Sequence, residues 1–237
     1  MMADFPTIFD WLARAEPLRG FPAAYLVLAL AAMVVAVGDW RAALLALMGQ
    51  YLVAGLLFVD VLDPRLAVVK VLVGLFICLM LYITARQVSW GRLPPDVTPA
   101  EVAHWRSGRR VKVGRWQLPL AWLLRLGLTL GVVWLVLAVA GRPSYQLPAV
   151  PGHVNLAIYA LCGLGLLGMA LTTEPLPAGM GLLLFMTGFE LFFNTLEQSV
   201  AMLAMLAVVQ MGLTLAIAYL TQLWAHSRFV LPVLLEE

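Results

Sequence analysis

The chain is a succession of apolar runs, several long enough to cross a bilayer, divided by short polar or proline-bearing breaks. A helix spans the ~30 Å hydrocarbon core with about 20 mostly apolar residues. These runs are apolar on every face, so they lack the alternation over roughly ten residues that marks a membrane β-barrel. Composition agrees: 63% of the residues are hydrophobic and 12% charged, against about a quarter charged in soluble domains. The expected fold is all-α, a polytopic membrane helix bundle of about seven transmembrane helices.

The breaks place the spans at about Phe21–Val37, Ala42–Leu62, Leu66–Ala85, Pro119–Ala140, His153–Leu171, Ala178–Leu196 and Val200–Trp224. Within residues 4–18, Phe5, Ile8, Phe9 and Leu12 fall near one helical face, so residues 1–20 read as an amphipathic segment at the membrane surface. That N-terminus has no basic region ahead of an apolar stretch and does not resemble a cleaved signal peptide. Residues 21–85 form a three-helix half and 86–118 a basic loop. A linking helix with its outer turn fills 119–152, a second three-helix unit 153–224, and a tail 225–237.

Orientation follows from the loop, which holds Arg86, Arg92, Arg106, Arg109, Arg110, Lys112 and Arg115 against Asp96 and Glu101. Basic loops stay in the cytoplasm, so seven spans give an N-out, C-in chain. A topogenic, lipid-contacting role accounts for this charge cluster, and no nucleic-acid partner is expected. Cys78 and Cys162 stand alone in apolar runs without metal-ligand spacing and read as small buried hydrophobes. No phosphate-binding loop, nucleophile elbow or intramembrane histidine pair occurs, so the chain is expected to hold no cofactor and no metal, and to be non-catalytic alone.

Charge at depth is the exception to this pattern. Glu190 is the only charged residue between Glu174 and Glu197, and a carboxylate at bilayer depth costs at least ~2.5–3.5 kcal/mol on insertion scales. Spacings of four and three put Glu190, Asn194 and Glu197 on one face of the sixth span, with Glu197 near the outer boundary. Gly179, Gly181 and Gly188 admit a close neighbour there. Lys70 interrupts the third span. It either snorkels outward, pairs with nearby Asp60 or Asp63, or serves as a buried proton-transfer group. Gln50 and Gln210 are neutral polar groups at mid-depth, and Arg125 lies close enough to a span end to snorkel.

Gly188-Phe189-Glu190-Leu191-Phe192-Phe193-Asn194 resembles the second helix of subunit K of NADH–quinone oxidoreductase (complex I), whose pattern is Gly, apolar, Glu, Leu, two apolar residues and Asn. That subunit's third helix bears a second buried glutamate, where this chain has Gln210. The run VVKVLVGLFICLMLYITAR is similar to the lysine-bearing helix of component E of hydrogenase-4 and formate hydrogenlyase systems, with Lys70 matching the lysine. The combined resemblance extends from about Ala42 to Trp224. It implies a multi-pass subunit in a bacterial or archaeal cytoplasmic membrane, partnered by antiporter-like membrane subunits and soluble Fe–S or hydrogenase-like subunits. Glu190, Lys70, Asn194, Gln210, Gln50 and Glu197 would then contribute to a proton (or sodium) pathway. The alternatives are the small subunit of a multi-subunit cation/proton antiporter, which shares the helix pattern, and a purely structural scaffold.

Overall fold

The breaks in the apolar pattern become helix boundaries because they carry residues that complete, or cannot make, hydrogen bonds at helix ends. The computed structural model describes residues 16–88, 90, 110–113, 116–148 and 150–234. Helix α1 spans Phe21–Ala36, α2 Trp40–Val59, α3 Pro64–Gln87, α4 Leu120–Ala140, α5 Gly152–Leu171, α6 Pro175–Leu196 and α7 Val200–Leu234. The Asp39 carboxylate accepts from the Arg41 backbone N–H at 3.0 Å and Asp63 from that of Arg65 at 2.9 Å, satisfying donors the first turn leaves free. Pro64 and Pro175 open α3 and α6, where a missing N–H loses nothing.

Seven spans were expected; among the described residues six helices are long and apolar enough to cross a membrane, and a seventh apolar helix is shorter. The seventh, α1, has 16 residues and rises only ~24 Å. Most helix ends fall within about three residues of the sequence reading, and two features depart further. Helix α7 continues to Leu234 instead of ending near Trp224. A short antiparallel hairpin, Arg110–Val113 against Trp116–Pro119, precedes α4 in the polar loop. Most of the surface segment read over 4–18 and most of the basic loop lie outside the described residues; Glu16–Leu18 form one 3-10 turn.

Helix α1 packs against α2, α4 and α5, while α5 lies closest to α6. Helices α3 and α6 each pack on both α2 and α7, so these four surround a common interior. Glycine sets the α5–α6 approach. A Cβ on Gly165 would stand 2.5 Å from the Phe185 backbone nitrogen, and one on Gly181 2.8 Å from that of Met169. Lipid tails are as apolar as leucine, so such backbone proximity, rather than hydrophobic exclusion, holds membrane helices together. Gly188 likewise receives Leu161 and Cys162 of α5, whereas Gly179 faces Ile217 of α7. Outward, α3 shows Leu72, Phe76, Leu79 and Ile83, and α4 shows Leu124, Leu130 and Trp134.

Candidate functional site

The two charges that stood out in the sequence meet. Lys70 Nζ donates to Glu190 Oε1 at 2.9 Å, across 120 positions of sequence. Their side chains are 3% and 2% exposed. Lys70 shares the inward face of α3 with Ala67, Gly74 and Ile77, while Val69 and Leu72 point out. An ammonium on that face has its nearest countercharge inside the bundle.

This arrangement corrects two expectations for Lys70. It does not snorkel, and neither Asp60 nor Asp63 is its partner. Asp60 accepts from Arg19 Nη2 at 2.5 Å and Nε at 3.2 Å, and meets His153 Nε2 at 3.0 Å. It thereby ties the segment before α1 to the start of α5. Asp63 is occupied in capping α3. Arg125 is also turned inward: its Nε donates to the Val35 carbonyl in the last turn of α1, a helix end that favours a cation.

Other polar side chains are buried on the helices around the pair. The Tyr51 ring lies over Gly74, where a Cβ would come within 2.4 Å of Cγ, and its buried hydroxyl is near Thr187 and Glu190. Thr187, one turn before Glu190 on α6, donates to the Leu183 carbonyl at 2.8 Å. Asn194, one turn beyond Glu190, is 1% exposed, as the spacing predicts. Gln210 is equally buried on α7. Ile217 sits against Gly179, and extending that antiparallel register puts Gln210 within about one turn of Glu190, ~6 Å along the bundle. Gln50, fully buried, precedes Tyr51 on α2. Glu197 caps the end of α6 and is exposed, away from this group.

Tyr51, Thr187 and Asn155 escaped the sequence reading. Tyrosine and threonine in an apolar helix carry no signal until a neighbour's position is known. Asn155 lies only three residues into α5, where it reads as interfacial, yet it is fully buried. The α5–α6 register set by Gly188 against Leu161 places it at about the height of Asn194.

Among the described residues, buried polar atoms without a well-formed hydrogen bond are Gln50 Oε1 and Nε2, Tyr51 Oη, and the amide nitrogens of Asn155, Asn194 and Gln210. An orphaned buried donor or acceptor costs about 1–3 kcal/mol. Such atoms suit water or a polar group beside them. An ammonium in direct contact with a carboxylate, beside groups able to hold water, is an arrangement that can give up and regain a proton. No group of three His, Cys, Asp or Glu side chains able to hold a metal ion occurs among the described residues.

Comparison with protein-family models, with curated proteins and with solved structures returns no match.

Proposed function

We propose that the chain is a non-catalytic membrane subunit of a complex I-related hydrogenase or oxidoreductase, with Lys70 and Glu190 as a proton (or sodium) relay. In this reading it sits N-out and C-in in a bacterial or archaeal cytoplasmic membrane. It works beside antiporter-like membrane subunits, while soluble Fe–S or hydrogenase-like subunits carry the electrons. One observation supports the reading above others. The sequence resemblance picks out Glu190 and Lys70 separately, in different halves of the chain, and they lie 2.9 Å apart in the interior. Intramembrane ionisable pairs facing a bundle interior are the usual parts of ion pathways.

Within that pathway Glu190 and Lys70 exchange a proton, and Asn194, Gln210, Gln50 and Tyr51 organise water around them. Where the resembled subunit has a second buried glutamate, this chain has Gln210, and the lysine from the front half is the charged partner instead. Glu197, exposed at the end of α6, provides at most an entrance.

The competing reading is a scaffold. A direct ion pair also serves as an assembly contact, and buried ionic groups fix helix pairing in some proteins. Replacing both charges separates the readings. A Lys70→Met/Glu190→Gln complex should assemble with its partners yet lose coupled ion movement in inverted vesicles. Wild-type pumping by that assembled complex would sink the relay. The neighbouring subunits in the purified complex discriminate further: Fe–S and hydrogenase-like chains support the oxidoreductase, membrane subunits alone the antiporter.

A further inference from the structure

A groove between α2 and α3, whose charged end lies about four turns along α3 from Lys70, has the chemistry of a phospholipid site. It has a volume of about 920 Å³, within the ~300–1,000 Å³ usual for ligand sites. Arg41 and Arg86 stand at one end. Arg41 lies over the Trp40 ring at 5.4 Å and Arg86 over the Tyr82 ring at 5.9 Å. The two rings are 6.2 Å apart, so both guanidinium groups rest on one aromatic pair.

Neither guanidinium is paired with a carboxylate among the described residues, and the neighbouring Asp39 carboxylate is bound to the Arg41 backbone N–H. Both arginines are exposed. From this end the groove runs along apolar side chains to Leu75. By helix rise that is ~16 Å from Arg86, the depth of one leaflet of a ~30 Å core. Leu45 and Leu79 on its walls are 63% and 51% exposed, so it opens sideways toward the surrounding lipid.

We propose that this groove binds an anionic phospholipid, with the phosphate between Arg41 and Arg86 and an acyl chain along Leu75 and Leu79. Tryptophan and tyrosine at this level match headgroup depth, and basic pockets between transmembrane helices take anionic headgroups. Two exposed guanidinium groups without a carboxylate partner among the described residues suit an anion, and a leaflet-deep apolar trough suits a chain. Only a lipid supplies both.

The test uses the full chain in maltoside detergent, with dioleoyl phosphatidylglycerol and dioleoyl phosphatidylcholine as probes and native mass spectrometry as the readout. Wild-type protein should retain the glycerol lipid with a preference of roughly tenfold or more, since each arginine adds attraction for an anionic headgroup. Arg41→Gln/Arg86→Gln should reduce that preference to about parity. Leu79→Trp, which fills the trough and leaves both cations, should weaken retention of phosphatidylglycerol. Equal retention of both lipids by the wild type would overturn the proposal, and so would a preference surviving loss of both arginines. Competition by glycerophosphorylglycerol as strong as that by the whole lipid would mark a free-anion site instead. The wild-type comparison and the competitor hold even where a variant fails to fold.

Discussion

At the scale of single residues, Lys70 and Glu190 depend on each other. Removing one partner of a buried ion pair leaves an uncompensated charge and costs about 3–5 kcal/mol, whereas replacing both with apolar groups of similar size is often close to neutral. Lys70→Met and Glu190→Met should each lower the melting midpoint in detergent, and the double variant should melt closer to wild type than either. Equal, additive losses would mean that the contact contributes nothing as a pair. The existence of two expensive charges is legible in the sequence, since each interrupts an apolar run. Their pairing is not, because Asp60 and Asp63 lie much nearer to Lys70 along the chain. Asp60 is instead taken by Arg19 and His153, both from outside α2 and α3.

Helix positions follow from local chemistry, and helix contacts do not. Asp39, Asp63, Pro64 and Pro175 mark helix starts that can be read one residue at a time. The glycines show the contrast. Gly165 of α5 faces the backbone of α6, while a Cβ on Gly212 of α7 would meet nothing within 4 Å. Gly165→Ala should therefore destabilise the bundle by about 1–3 kcal/mol, because backbone rather than a flexible side chain must move. Gly212→Ala should be neutral or stabilise by up to about 1 kcal/mol through helix propensity. Thermal melting of both variants in detergent checks the opposite signs. A matched response would undo the assignment of α5–α6 as the tight contact.

For the whole molecule, the arrangement of seven helices and the charge of the central loop make a directional prediction. Ser144, exposed in the turn between α4 and α5, and Ser107, in the basic loop, belong to opposite sides in the proposed N-out, C-in orientation. A cysteine at position 144 should react with an impermeant maleimide in intact cells, and one at 107 only after permeabilisation. The reverse pattern would invert the topology. Bundle order also joins the halves: α3 from the front and α6 from the back share α2 and α7 as neighbours, so the ion pair forms only when both halves are in place.

Taken by itself, the sequence determined the material: apolar helices in approximate extent, the breaks between them, and two charges within apolar runs that required an explanation. These features depend on residues within a turn or two of one another, or on transfer from water to hydrocarbon, and neither needs a known neighbour. Only the tertiary structure decided that Glu190 meets Lys70, that Asp60 does not, and that Tyr51 and Thr187 stand beside the pair. It also decided which glycines touch a backbone. Helices apolar on every face carry no stripe to announce which side packs inward. Pairing in such a bundle depends on the fit of surfaces that come together only once the chain is assembled.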